Sequence, residues 1–172
     1  MAILDAIVRD KREEVRQRRA ATPPSALEAR CRRQPLTRDL ESALRPPPGG
    51  VRLIAEVKKA SPSRGVLSAS LDPAELATVY ARHGAHAVSV LTDQKYFQGR
   101  LEDLEAVRAA VDVPLLRKDF TIDEYQLWEE RAAGADAVVL IVSILDPVPL
   151  RDVLQAAKWL GLAALVECQS AT

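Results

Sequence analysis

From Val51 onward, short runs of mostly apolar residues alternate with longer amphipathic stretches. The runs predict strands over Val51–Lys58, Ala87–Leu91, Val113–Lys118, Ala137–Ile144 and Leu162–Glu167. The stretches between them predict helices. Asp72-Pro73 opens one that runs to about His83 and is closed by Gly84. A second covers Leu101–Ala110, and a third covers Asp123–Ala133 with Gly134 behind it. Asp146-Pro147 opens the fourth, which reaches Leu160 and stops at Gly161. Five strands alternating with four helices predict a parallel sheet with right-handed crossovers. Runs such as Val138-Val139-Leu140-Ile141-Val142 are apolar on both faces, as a sheet covered on both sides requires.

Two architectures share this rhythm: an open doubly wound sheet and a (β/α)8 barrel. The first strand–helix turn, Lys59-Ala60-Ser61-Pro62-Ser63-Arg64-Gly65, is not a G-x-G-x-x-G loop, which counts against a dinucleotide-binding sheet. Ahead of the alternating part, Ile3, Leu4, Ile7, Val8 and Val15 mark one stripe of an amphipathic helix over residues 3–20. Thr22-Pro23-Pro24-Ser25 breaks it, with Ser25 expected to cap a short helix across residues 26–33. Arg45-Pro46-Pro47-Pro48-Gly49-Gly50 reads as a stiff linker ending in a turn. The expected division is therefore residues 1–50 as a helical extension with its linker, and residues 51–172 as the β/α part.

Composition narrows the function classes. The 172 residues carry 24 basic and 24 acidic side chains, so bulk positive charge does not direct the chain to nucleic acid. Two cysteines, Cys31 and Cys168, are too few and too far apart for a disulfide scaffold or zinc knuckle. His83 and His86 lack metal-site company, so no metal is expected. No apolar run approaches the roughly 18 residues that span a bilayer. Asp5 and the dense charge that follows make the N-terminus unlike a signal peptide, so no membrane is expected and the expected location is cytoplasmic. The basic residues comprise 18 arginines and only six lysines, which makes each lysine worth locating.

Two of those lysines end strands. The first strand closes on Glu56 and Lys58, two residues apart and so on one face, roughly 6.6 Å from each other along the strand. The third closes on Lys118 and the fifth on Glu167. In a barrel, catalytic groups lie at the C-terminal strand ends, and one layer draws side chains from alternate strands. Glu56, Lys58, Lys118 and Glu167 are therefore placed to converge at a barrel mouth as a general acid–base site. The competing reading is a set of ion pairs that only stabilise strand ends.

Four segments stand in order and spacing: Leu53-Ile54-Ala55-Glu56-Val57-Lys58-Lys59-Ala60-Ser61-Pro62-Ser63, Leu91-Thr92-Asp93-Gln94-Lys95-Tyr96-Phe97-Gln98-Gly99, Leu116-Arg117-Lys118-Asp119-Phe120 and Leu165-Val166-Glu167. With them the chain resembles the indole-3-glycerol-phosphate synthase family over its whole length. The resemblance implies a (β/α)8 TIM barrel and a carboxy-lyase reaction without cofactor or metal. The reaction closes the ring of 1-(2-carboxyphenylamino)-1-deoxyribulose 5-phosphate, losing CO2 and water. Carried over, Lys118 resembles the general acid on the substrate carbonyl, and Glu167 the acid–base group of the dehydration. Lys58 resembles the holder of the substrate carboxylate, and Glu56 the acid that orients the lysines. Ser61 resembles a phosphate contact, although before Pro62 it also reads as a turn residue. Phe97 and Phe120 resemble walls around the anthranilate ring, with Val139 below it. Without the resemblance both phenylalanines would read as core packing.

A full barrel needs eight units and about 250 residues. This sequence supplies five strands, so the barrel is expected to be incomplete, poorly stable and inactive alone, with strand edges open to pairing. The family's asparagine on strand six, its glutamate–serine pair at strand seven and its later glycine-rich phosphate loops have no counterpart. Two other readings remain: another phosphate-binding barrel enzyme such as phosphoribosylanthranilate isomerase, and a non-catalytic half-barrel.

Overall fold

Aspartates set several of the helix starts. Asp39 accepts from Ser42 N at the head of α3 (Leu40–Leu44), and Asp72 from Ala74 N and Glu75 N at the head of α4 (Pro73–Arg82). Asp93 and Asp123 do the same for α5 (Gln94–Phe97) and α7 (Glu124–Ala132). Each carboxylate satisfies N–H groups that the first helical turn leaves without a partner. The short α2 (Pro24–Cys31) corrects the expectation for Ser25. Pro23 holds the cap position without a side-chain bond, and the helix starts one residue before Ser25. A proline in the first turn needs no N–H partner, so no serine cap is required there.

The computed structural model describes residues 2–169. Five parallel strands form one sheet in the order β1 (Ile54–Val57), β4 (Ala87–Leu91), β5 (Leu115–Lys118), β6 (Ala137–Ile141), β7 (Ala163–Glu167). The helices α4, α6 (Leu101–Ala110), α7 and α8 (Pro147–Trp159) connect them. This is the α/β architecture of a β/α barrel with five strands among the described residues. The long α1 (Ala2–Ala21) precedes α2 and α3, and a small hairpin, β2 (Ala60–Ser61) with β3 (Gly65–Val66), follows β1.

Strand alternation sorts the core into two layers. Val57, Val88, Val90, Leu115, Val138 and Leu140 face the helices and pack on Leu104, Val107, Leu127 and Val153. Ala87, Leu116, Val139 and Ile141 point to the opposite face, where Leu40 and Leu44 of α3 pack against them. Ile54, Ala87, Ala137 and Ala163 each sit near the start of a strand, so α3 closes the N-terminal end of that inner face. Its C-terminal end is left open to a cavity lined by both charged and apolar side chains.

Four strands are shorter than the pattern predicts: β5 starts at Leu115 rather than Val113, β7 at Ala163 rather than Leu162, and the other two show why they stop. The first begins at Ile54 because Leu53 turns its N–H to His86 Nδ1 at 3.1 Å, while its carbonyl accepts from His86 N at 2.8 Å. Lys58 and Lys59 lie beyond its end, where Lys59 O accepts from Leu67 N at the base of the hairpin. The fourth predicted strand stops at Ile141, and Val142–Ile144 form a 3-10 turn instead. The register explains the stop: Ile141 pairs with Glu167, the last residue of β7.

Candidate active site

The register stacks the ends of the strands. Leu91 sits beside Lys118, and Ile141 sits beside Glu167. Lys118 and Glu167 come from strands separated by β6, point to the same face, and meet with Nζ 2.9 Å from Oε2. At the other margin of the sheet, Lys58, just past the end of β1, brings its Nζ to 2.5 Å from Glu56 Oε1 on that strand. All four side chains keep part of their surface in contact with solvent. Such pairs are held loosely enough to exchange a partner for a ligand, because an exposed ion pair contributes little to stability, about 0–1 kcal/mol.

Glu56, Lys58 and Lys118 line a cavity of about 270 Å3 together with Leu91, Phe97, Asp119, Phe120 and Ile141. Phe97 and Phe120 stand on its rim with ring centroids 6.2 Å apart and planes tilted by 40°. Glu167 does not line this cavity and joins it through Lys118. Val139 lies one step deeper, fully buried in the inner apolar layer, and Ile141 takes the lining position above it. Ser61 lines a second, more open cavity of about 770 Å3 with Pro62, Ser63, Arg64, Ile3 and Ile7. Lys58 and Phe97 border both cavities, so the two are halves of one cleft at the C-terminal strand ends.

Behind this cleft lies a buried charge cluster that the sequence pattern does not announce. Arg117 alternates with Lys118 and therefore points to the other face of β5. There its guanidinium donates to Thr92 Oγ1 at 2.8 Å, Asp119 Oδ2 at 2.7 Å and Glu130 Oε1 at 3.3 Å. Asp119 also accepts from the N–H of Phe120 at 2.8 Å, and Lys11 Nζ from α1 lies 2.9 Å from it. Burial alone raises a carboxyl pKa, but the charges of Arg117 and Lys11 overcome that and hold Asp119 well below the usual carboxylate range. Burial wins at Glu130, which is pushed up to about 8 despite Arg117. The only sequence signal for the cluster is the position of Asp119 just past the end of β5, next to Phe120.

Among the described residues, no group of three or more His, Cys, Asp or Glu is placed to hold a metal ion. No helix among them is long and apolar enough to cross a membrane.

A parallel β/α sheet with its ionisable groups gathered at the C-terminal strand ends defines the class of β/α-barrel proteins. Sequence comparison sharpens the class. The family model for indole-3-glycerol phosphate synthase matches residues 4–172, and the chain belongs to that family. Curated relatives bearing that name include one from Kineococcus radiotolerans, 48% identical over 99% of this chain and 64% of its own length. The Micrococcus luteus protein is 49% identical, covering 99% of this chain and 65% of its own length. The one from Salinibacter ruber is 52% identical, with 97% and 62% covered. The chain thus spans between three fifths and two thirds of the length of these relatives.

Proposed function

We propose that this cleft is the share that these five strands contribute to an indole-3-glycerol phosphate synthase site, where ring closure acts in the cytoplasm on a phosphorylated small molecule. The observation that carries the reading is the pair of lysine–carboxylate contacts, Lys118 with Glu167 and Lys58 with Glu56, beside a cavity rimmed by two aromatic rings. Residues 1–50 serve as the helical extension and residues 51–172 as the barrel portion.

The substrate is an anthranilate joined through nitrogen to a deoxyribulose phosphate. Its flat ring suits the apolar wall that Phe97 and Phe120 form together, with Val139 supporting the floor. Lys58 offers the substrate carboxylate a cation. Lys118 gives a proton to the ketone oxygen while the ring carbon bearing the carboxylate bonds to the carbonyl carbon. Loss of CO2 returns the bonding electrons to the ring. The new hydroxyl then leaves as water as Glu167 handles the proton, and a second proton leaves the adjacent carbon. One substrate yields one indole, one CO2 and one water, with no oxidant or reductant. Glu56 balances Lys58 until the carboxylate arrives. Ser61, which lines the open end of the cleft, offers its hydroxyl to the substrate phosphate.

The test is turnover of the carboxyphenylamino-deoxyribulose phosphate by protein isolated from its native source. Indole absorbance and released CO2 are expected to rise in equal amounts. Absence of indole, or conversion of phosphoribosylanthranilate instead, overturns the reading.

A further inference from the structure

Lys11 lies on α1, in a stretch so charged that solvent exposure is its natural expectation. Its side chain is only 1% exposed. Its Nζ sits 2.7 Å from Glu14 Oε2, 2.8 Å from Asp93 Oδ2 and 2.9 Å from Asp119 Oδ1. A buried ammonium of this kind persists only when carboxylates surround it. Burial alone lowers the lysine pKa, but the charges of Asp119 and Asp93 reverse the effect and raise it.

Two of the three carboxylates belong to the loops at the mouth of the cleft. Asp93 is the cap of α5, and its other oxygen accepts from Tyr96 N at 2.7 Å. Phe97 is the next residue. Asp119 follows Lys118 directly, and the same oxygen that meets Lys11 accepts from Phe120 N. One ammonium therefore bridges the caps of the two loops that present Phe97 and Phe120, and it adjoins the residue that presents Lys118. The neighbouring Asp10 holds α5 separately, through Lys95 Nζ at 2.7 Å and the Tyr96 hydroxyl. Helix α1 thus docks on α5 without Lys11, which leaves Lys11 to set the distance between the two loops.

We propose that Lys11 is a positioning residue, a buried cation on the N-terminal helix that fixes the Phe97–Phe120 gap and the stance of Lys118. This rests on the ring-closure reading for its effect on turnover, but not for its effect on geometry. The sequence contains only two phenylalanines, Phe97 and Phe120. Selective 13C labelling of phenylalanine therefore gives two ring systems, and the ring-to-ring nuclear Overhauser effect reads their gap directly.

Lys11→Met is expected to lose that effect and to shift the Tyr96 and Phe120 amides. Its kcat is expected to fall roughly tenfold to hundredfold, with KM changed far less, as displacement of a reacting group implies. Glu14→Gln removes the one carboxylate that belongs to neither loop and is expected to keep the ring-to-ring effect. A Lys11→Met protein with lower thermal stability but an unchanged ring-to-ring effect and kcat overturns the proposal. Should Lys11→Met not fold, Lys11→Arg keeps the charge but overfills the site. It is expected to lose the ring-to-ring effect, and its retention overturns the proposal equally. Wild-type protein that makes no indole defeats the ring-closure reading alone, because the labelling experiment still reads the loops.

Discussion

Neighbouring residues on β5 have opposite fates. Lys118 reaches the cleft and meets Glu167, whereas Arg117 is sealed behind it among Thr92, Asp119 and Glu130. The buried half carries a pH signature. Glu130 has an ordinary carboxyl pKa in the unfolded chain and one pushed up to about 8 in the folded protein. Between those values the folded state holds a proton that the unfolded state has released. Stability is therefore fully present below the unfolded pKa and declines as pH rises toward 8, by up to about 1.4 kcal/mol per pH unit. Thermal melts are expected to show a midpoint falling from pH 5 to pH 8 in the wild type. Glu130→Gln keeps an acceptor for Thr121 and Arg117 and is expected to flatten that fall. Asp119 acts in the other sense: its lowered pKa supplies stability above the unfolded value that is lost as pH falls further. Glu56, Lys58, Lys118 and Glu167 are legible in the sequence because each ends or follows an apolar strand. Lys11 is not, because Arg9, Asp10, Arg12 and Glu13 surround it in the sequence and only tertiary contact buries it.

Secondary-structure elements are held at both ends of the strands, by different means. At the N-terminal end Asp136, fully buried, accepts from Leu115 N at 2.8 Å, Arg38 N at 2.8 Å and Arg108 Nη1 at 2.8 Å. It thereby ties β5, the segment ahead of α3, and α6 to the start of β6. Asp136→Ala leaves the Arg108 guanidinium and two N–H groups without their acceptor and is expected to cost about 3–5 kcal/mol. Urea denaturation checks this, with activity per folded molecule unchanged because the cleft lies at the opposite end. At the C-terminal end Gly99 lets the chain turn back against β4. A Cβ there falls 2.1 Å from Leu91 O, so the backbone must move. Gly99→Ala is expected to displace α5 and with it Phe97, and to lower stability by about 1–3 kcal/mol, read as a shifted urea midpoint. The long strands and helices follow from their hydrophobic period. The four residues of α5, the five of α3 and the two-residue strands of the hairpin are too short to leave one. Of these, α5 and the hairpin border the cleft, so the frame was readable while part of the site's rim was not.

The whole molecule is a parallel sheet whose outer face is packed under helices and whose inner face is closed by α3 at one end and open to the cleft at the other. Among the described residues β1 and β7 are the outermost strands, and each brings one member or both of a lysine–carboxylate pair to the mouth. The cleft thus gathers groups from both margins of the sheet, and its chemistry depends on the curvature that brings β7 within reach of β5. The most direct measurement is the rate of indole formation by wild-type protein and by Lys118→Met, paired with binding of an anthranilate-based substrate analogue to each. With Lys118 in its proposed role of proton donor, the substitution is expected to slow ring closure by about 10²–10⁴-fold while analogue binding changes little. Undiminished turnover in Lys118→Met contradicts the account.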